Sequence, residues 1–163
     1  KNMILVTLHR QENVDNMTRL AQFRAAMQLL ETRFPTWEIV FPIHPRTQKK
    51  LGDIKLPSNV KLVPPMGYLK FLSLLKSAKV VLTDSGGVQE EACVLGTPCV
   101  TLRDNTERPE SVQVDANILA GVEPSTVLEA AVYAIEVMGK SRWKNPFGDG
   151  KAAKRIVEVL MEG

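Results

Sequence analysis

The sequence lacks any apolar run that approaches the roughly 20 residues of a transmembrane helix. Its first residues, "KNMILVTLHR", already have the pattern of a buried strand, so we expect no secretory leader. These absences exclude a membrane-spanning protein and lead us to expect a cytoplasmic one. The strand pattern starts so abruptly that we expect the chain to be a piece of a longer protein.

Cysteine is scarce, and the excess of positive charge is small. Cys93 and Cys99 lie in apolar stretches, which predicts buried reduced thiols and neither a disulfide nor a metal pair. The net charge is +3 without a long basic run, so we expect no nucleic-acid partner and favour an anionic small molecule. Walker and G-x-G-x-x-G motifs are also missing, which excludes two common phosphate-binding loops.

The sequence does contain a regular alternation of apolar strand patterns with helical ones. Its 163 residues, 44% of them hydrophobic, suffice for one compact domain with a sizeable core. The predicted strands are 3–8, 37–43, 60–65, 79–83, 98–103 and 117–121. The predicted helices are 17–34, 68–78, 88–95, 124–139 and 149–163, with a polar loop at 9–16 and a short helix or turn after residue 44. This alternation predicts a single α/β domain over 1–163 with a doubly wound, Rossmann-like parallel sheet.

The stretch "DSGG", residues 84–87, lies between the fourth predicted strand and a helix. Ser85 suits an N-cap, and glycines without Cβ atoms let an anion approach the free N–H groups of a helix start. The alternative is an ordinary cap in a tight turn, for which one glycine would suffice. The pair Gly86 and Gly87 therefore favours a phosphate-binding site.

Glu91 lies about one turn further along this helix. It shares a face with Val88, Ala92 and Leu95, which predicts a position on the packed side, where a carboxylate can accept hydrogen bonds from ribose hydroxyls. Its neighbour Glu90 is predicted to lie on the solvated face.

Polar clusters follow the first and fifth predicted strands. Either cluster alone fits a capping loop with solvated charges. Because the carboxyl ends of parallel strands meet at one edge of a sheet, the two clusters together predict a ligand site there. Histidine and arginine suit phosphate binding, and Pro109 would place Arg108 at a helix start. The clusters supply His9, Arg10, Glu12 and Asn13, and Arg103, Thr106, Glu107 and Arg108, with His44 as a weaker candidate after the second strand.

Five segments, in order, resemble the C-terminal half of the non-hydrolysing UDP-N-acetylglucosamine 2-epimerases. This resemblance implies a two-domain enzyme of the glycosyltransferase-B type, of which the chain is the second, UDP-binding domain and the N-terminal domain is absent. It also implies a homodimer in cell-surface polysaccharide biosynthesis that needs neither cofactor nor metal. The segments are "VTLHRQEN", "YLKFLSLL", "LTDSGGVQEEACVLGTP", "RDNTERPE" and "NPFGDGKAAKRIV".

The resemblance also implies residue roles. Ser85, Gly86 and Gly87 would bind the diphosphate and Glu91 the ribose. Phe71 and Met66 would lie at the uracil, and Arg108 would bind the substrate. His9 would be the catalytic residue, in contact with the diphosphate. The effector or support residues would be Arg10, Glu12 and His44. Two positions depart from the family pattern: Gln11 replaces an arginine, and Met66 stands where some members have a glutamine.

The chemistry that the resemblance implies is epimerisation at C2 of UDP-N-acetylglucosamine, through elimination and re-addition of UDP. The carboxylates that move the C2 proton would lie in the other domain, so the chain alone is expected to be inactive. Three alternatives remain: the donor-binding domain of a UDP-sugar glycosyltransferase, a hydrolysing epimerase, and a non-catalytic nucleotide-binding module.

Overall fold

A computed structural model describes residues 2–52, 54–140 and 143–161. Six parallel strands form one sheet in the order β3-β2-β1-β4-β5-β6, as predicted for a doubly wound fold. The strands are β1 (Met3–Thr7), β2 (Glu38–Pro42), β3 (Val60–Val63), β4 (Val80–Thr83), β5 (Cys99–Thr101) and β6 (Asn117–Leu119).

Helices connect the strands and cover both faces of the sheet. They are α1 (Gln11–Val14), α2 (Met17–Arg33), α3 (Pro45–Leu51), α4 (Tyr68–Ser77), α5 (Gly86–Leu95), α6 (Pro109–Gln113), α7 (Pro124–Glu136) and α8 (Ala152–Met161), with a 3-10 turn at Met138–Lys140. The α2 prediction is confirmed at both ends, since the side chain of Asn16 caps its start and the helix ends before Phe34 and Pro35.

Two predictions about local structure are corrected. Residues 9–16, expected as a polar loop, include the single helical turn α1. Helix α5, predicted from residue 88, begins at Gly86, so both glycines lie in its first turn. Gly96 ends α5 in the left-handed conformation with φ 76°, as its position after the helix predicts.

The sheet reverses its winding between β1 and β4, and this reversal fixes where a ligand crevice can open. Every residue of both strands is buried, because helices cover the two faces. Thr7 pairs with Thr83 at the carboxyl ends, and their hydroxyl oxygens are 2.6 Å apart. The chain segments that leave β1 and β4 therefore start side by side, at the position where doubly wound folds bind ligands.

Apolar clusters fill the space on either side of the sheet. The larger cluster joins α2 and α7 to it, with Phe23 packed edge-on against Phe41 at a ring-centroid distance of 5.8 Å. The smaller cluster lies beneath α4 and α5 and includes Cys99. Cys93 and Cys99 are both buried free thiols, as predicted, and burial raises the pKa of both.

Helix α8 differs from the others because none of its residues is buried. The segment before it is held on the domain by Trp143, whose Nε1 donates a 2.9 Å hydrogen bond to the carbonyl oxygen of Cys93. Within the described ranges, no helix combines the length and the apolar character needed to cross a bilayer.

Candidate functional site at the switch point of the sheet

Asp84 ties the turn after β1 to the turn after β4. Its carboxylate is fully buried and accepts the backbone N–H of His9 at 3.1 and 3.0 Å and that of Arg10 at 2.8 Å. The side-chain amide of Asn13 is the third donor, and its Nδ2 donates to Asp84 Oδ2 at 3.1 Å. A buried carboxylate requires such donors, so these bonds fix the His9–Arg10 turn beside the start of α5. Sequence reasoning gave Asp84 no role, although an acidic residue at the end of a buried strand is a usable signal.

His9 projects from this turn into a cavity of about 230 Å³. Its side chain is 46% exposed, and its Nε2 lies 3.9 Å from Asp84 Oδ1. The cavity wall brings together four residues that the sequence predicted separately, which are His9, His44, Met66 and Phe71. His44 also caps α3, because its Nδ1 accepts the N–H of Arg46 at 3.2 Å.

The start of α5 presents bare backbone. Ser85 is its N-cap, as predicted, and the hydroxyl oxygen accepts the N–H of Val88 at 3.4 Å. Neither Gly86 nor Gly87 has a positive φ, so backbone strain does not explain the glycines. A Cβ on Gly87 would meet only Ser85 Oγ at 4.0 Å. Packing within the described residues therefore does not require a glycine at position 87, and the exposed backbone there is open to an anion, whereas Gly86 is buried.

A network of two arginines and two glutamates lies beside this helix start. Arg103 is only 6% exposed and donates to Glu12 at 2.8 Å and to Glu107 at 3.3 Å. Arg10 donates to the other oxygen of Glu107 at 3.2 Å. The positive charge of Arg10, followed by the hydrogen bond from Arg103, lowers the pKa of the Glu107 carboxyl.

Glu107 lies directly over the glycine backbone. Its Oε2 would be 3.3 Å from a Cβ on Gly86, so this carboxylate packs against the first turn of α5. Arg10 has a further donor here, since its Nε is buried and has no hydrogen-bond partner among the described residues. The helix start thus already accommodates one carboxylate, with the positive charge of Arg10 beside it.

Arg108 begins α6, where the sequence predicted it. Its Nε forms an ion pair with Glu90, and its Nη1 donates to the Glu107 carbonyl at 2.9 Å. Glu90 lies on the solvated face, as predicted, since its side chain is 38% exposed, and it also pairs with Arg108. The two residues are 18 positions apart, and the local helical pattern carries no signal for their contact.

Glu91 lies at a second cavity, of about 360 Å³, beside Gly87 and the aromatic rings of Tyr68 and Phe147. It is half-buried and follows the face predicted for it, with Ala92 fully buried next to it. The hydrogen bond to Glu91 and its negative charge raise the pKa of the Tyr68 phenol.

Sequence reasoning missed Tyr68 and Phe147 as site residues. Both belong to segments that carried the family resemblance, and that membership was the available signal. In the ranges 2–52, 54–140 and 143–161, no three His, Cys, Asp or Glu side chains are grouped as metal ligands. The site therefore consists of a helix start, an arginine–glutamate network and two adjoining walls of α4 and α5.

Comparison with known proteins identifies relatives of the whole chain. The family model described as UDP-N-acetylglucosamine 2-epimerase matches residues 1–161. A curated UDP-N-acetylglucosamine 2-epimerase from Methanocaldococcus jannaschii is 51% identical over 98% of this chain and 44% of its own length. A UDP-2,3-diacetamido-2,3-dideoxy-D-glucuronate 2-epimerase from Pseudomonas aeruginosa is 40% identical over 96% of this chain and 44% of its own.

A solved structure extends this similarity to three dimensions. The crystal structure of the M. jannaschii UDP-GlcNAc 2-epimerase in complex with UDP-GlcNAc and UDP superposes with a TM-score of 0.89 at 47% identity. The match covers 99% of this chain and 46% of that one. The chain thus spans less than half the length of these relatives.

Proposed function

The chain belongs to the UDP-N-acetylglucosamine 2-epimerase family, and we propose that it is the UDP-binding half of an enzyme that interconverts UDP-N-acetylglucosamine and UDP-N-acetylmannosamine. The observation that carries the proposal is the start of α5, where no side chain packs closely over Gly87 and where Arg10 is bonded to Glu107 beside Gly86. This arrangement suits a diphosphate, because a helix start carries about half a positive charge and free donors.

The reaction that we propose breaks the bond between C1 and the diphosphate oxygen as the C2 proton is removed. Negative charge then develops on the departing UDP. Gly86 and Gly87 receive this charge on backbone N–H groups that are already oriented, so little reorganisation is needed. Ser85 contributes the proton of its hydroxyl, because its own N–H donates to Thr83 Oγ1 at 3.0 Å. UDP adds back after a proton returns to the opposite face of C2, which inverts that carbon.

His9 is the proposed contact to the diphosphate at the site of bond cleavage. Its backbone is fixed by Asp84, while its side chain is free to reach the cavity. An imidazole in this position can donate a hydrogen bond to the leaving oxygen. Arg108 approaches from the start of α6, and its present partner Glu90 holds it close to α5.

The nucleoside of UDP fits the two cavities that α4 and α5 line. We propose that Glu91 accepts hydrogen bonds from the ribose hydroxyls, with Tyr68 holding its carboxylate in place. Phe71 offers a ring to the uracil, and Met66 packs beside it in the same cavity. Met66 provides no amide for the base, so in this proposal stacking and main-chain groups bind the uracil.

The proton transfers at C2 are assigned to a second domain of the same parent chain. The relatives are more than twice as long as this chain, which leaves room for such a domain. Helix α8 offers a surface for such a domain, because Ala153, Ile156, Val157 and Leu160 form an apolar stripe at helical spacing and Leu160 is 75% exposed. We propose that this stripe packs on the second domain, and that the whole enzyme is a cytoplasmic homodimer.

The test is an assay of the full-length protein with UDP-N-acetylglucosamine in D₂O. We expect UDP-N-acetylmannosamine that carries deuterium at C2, detected by NMR. Free N-acetylmannosamine would instead indicate a hydrolysing enzyme, and sugar transfer to an acceptor would indicate a glycosyltransferase. Binding of UDP without any product would leave a non-catalytic module. Parallel assay of UDP-2,3-diacetamido-2,3-dideoxy-D-glucuronate separates the two sugar substrates that the relatives' names contain.

A further inference from the structure

A buried pair of side-chain amides lies behind the site. Gln89 of α5 is fully buried, and Asn117 of β6 is 3% exposed. The Nδ2 of Asn117 donates to Gln89 Oε1 at 3.2 Å, and the Thr106 hydroxyl donates to the same oxygen at 2.5 Å. Asn117 is fixed in turn by Thr101 of β5, whose hydroxyl donates to Oδ1 at 2.8 Å.

The backbone N–H and the carbonyl oxygen of Arg108 are both linked to this amide pair through hydroxyl groups. The N–H of Arg108 donates to Thr106 Oγ1 at 2.9 Å, and Thr106 is bound to Gln89. The carbonyl oxygen of Arg108 accepts the Ser111 hydroxyl at 2.8 Å, and Ser111 accepts Nδ2 of Asn117 at 3.1 Å. Two hydroxyl relays thus connect one arginine backbone to the interior of the fold.

The same helix holds the other end of Arg108. Glu90, adjacent to Gln89, pairs with the guanidinium. Helix α5 therefore fixes the backbone of Arg108 from one residue and its side chain from the next. A shift of α5 against the β5–α6 loop would move Arg108 relative to the glycine backbone of Gly86 and Gly87.

Stability alone does not account for Gln89. Its Nε2 is buried and has no hydrogen-bond partner among the described residues. An unpaired buried donor is destabilising, whereas an apolar side chain of the same shape would avoid that loss. The benefit of the amide therefore lies in its oxygen, which orients Thr106.

We propose that Gln89 and Asn117 are positioning residues that set Arg108 against the phosphate-binding end of α5. The proposal rests on the proposed function, because Arg108 has a substrate to meet only if a UDP-sugar binds there. Gln89 and Asn117 touch no substrate themselves. They act through Thr106, Ser111 and the Arg108 backbone.

The experiment uses the full-length protein and variants of Gln89 and Thr106. Gln89→Met keeps the length of the side chain and removes the acceptor, and Thr106→Val removes the hydroxyl with little change of shape. We expect each to weaken UDP binding at least tenfold in calorimetry while a cooperative melting transition shows that the protein remains folded. Thr106→Val should lower the melting temperature, because it leaves the Arg108 N–H without its acceptor. Thr106→Ser keeps the hydroxyl and should recover most of the affinity. Gln113→Met, on the exposed side of α6, is the matched control and should bind as the wild type does.

A double-mutant cycle with Arg108→Ala decides between positioning and general support. If Gln89 acts through Arg108, Gln89→Met should cause no further loss of UDP affinity in the Arg108→Ala background. Additive losses, or wild-type affinity in both Gln89→Met and Thr106→Val, would overturn the proposal. A wild-type protein that neither binds UDP nor turns over a UDP-sugar would refute the proposed function itself, and this inference with it.

Discussion

The carboxylate of Asp84 accepts a 2.8 Å hydrogen bond from the backbone N–H of Arg10, although 74 residues separate the two in the chain. The bond joins the ends of β1 and β4 at the point where the sheet reverses its winding. Because Asp84 is fully buried, this contact belongs to the architecture of the fold. It also determines where His9 stands relative to the start of α5.

Asp84→Asn should therefore destabilise the protein and weaken ligand binding together. The amide presents a donor to groups that are themselves donors, the N–H groups of His9 and Arg10. Hydrogen bonds to a charged acceptor contribute about 1.5–3 kcal/mol, and we expect a loss of this order in the free energy of unfolding by urea. UDP affinity should fall in the same variant.

Asp104→Asn is the control for this prediction. Asp104 forms an exposed ion pair with Arg19 at 3.0 Å, and its side chain is 75% exposed. Exposed pairs contribute less than about 1 kcal/mol, so this variant should remain close to the wild type. Equal stability of the two variants would show that the buried hydrogen bonds of Asp84 are not needed.

The succession of strands and helices is predictable from this sequence because each apolar run has a distinct period. Each predicted strand overlaps an observed one. The residues of β1, β4 and β5 are all buried, and such strands read as continuous apolar runs. The turn α1 is different, because three of its four residues are polar and the segment is too short to show a helical period. Contacts to Asp84 and Leu102 through Asn13 hold it, and neither partner is near in sequence.

The location of the candidate site is predictable from the sequence, but several of its contacts are not. His9, Ser85 and Arg108 meet at one edge because parallel strands all end there. The pairing of Arg108 with Glu90 depends on how α6 is placed against α5, which no local pattern encodes. Phe147 reaches the second cavity from a loop of irregular conformation, where periodicity gives no information.

Glu91→Gln should show whether Glu91 contributes to binding of the nucleoside or of the phosphates. If Glu91 binds the ribose, the variant should weaken UDP and uridine by about 1.5–3 kcal/mol and leave inorganic pyrophosphate little changed. Tyr68→Phe should produce a smaller effect of the same kind, because Tyr68 only holds the carboxylate. Calorimetry with the three ligands makes the comparison. Equal losses for pyrophosphate and UDP would mean that Glu91 supports the helix start and does not contact the sugar.

The pH dependence of stability should include a contribution from Glu107. Its pKa in the folded protein lies below the ordinary value of 4.5, mainly because of the positive charge of Arg10. A lowered folded pKa gives stability that is present above pH 4.5 and is lost as the pH falls through the folded pKa. Wild type should therefore lose more of its melting temperature than Glu107→Gln does between pH 5 and about pH 3.

Glu110→Gln is the matched comparison for this titration, since Glu110 is exposed on α6. Other carboxylates contribute to acid unfolding in all three proteins, so the informative quantity is the difference between the melting curves. Glu110→Gln should follow the wild type across the range. A Glu107→Gln curve that is parallel to the wild-type curve would contradict a stabilising role for the Arg10–Glu107 pair.

Gly87→Ala tests whether the bare backbone of α5 serves a ligand. A Cβ here would meet only Ser85 Oγ at 4.0 Å, and φ is not positive, so the folded protein accepts it without strain. Alanine in a helix is favoured over glycine by up to about 1 kcal/mol, which predicts an unchanged or higher melting temperature. The added methyl group would still obstruct a diphosphate that approaches the N–H groups. We expect UDP affinity to fall at least tenfold, or about 1.4 kcal/mol.

Two further alanine variants separate this effect from its alternatives. Gly139→Ala, in the 3-10 turn after α7, places a Cβ 3.6 Å from the carbonyl oxygen of Ala134 and should leave UDP binding unchanged. Gly86→Ala brings a Cβ to 3.3 Å from Glu107 Oε2, so it should displace that carboxylate and disturb its pairing with Arg10. Gly86→Ala can therefore lose affinity through the network, whereas Gly87→Ala can lose it only at the helix start. A stable Gly87→Ala protein that binds UDP as the wild type does would show that the diphosphate does not approach this backbone.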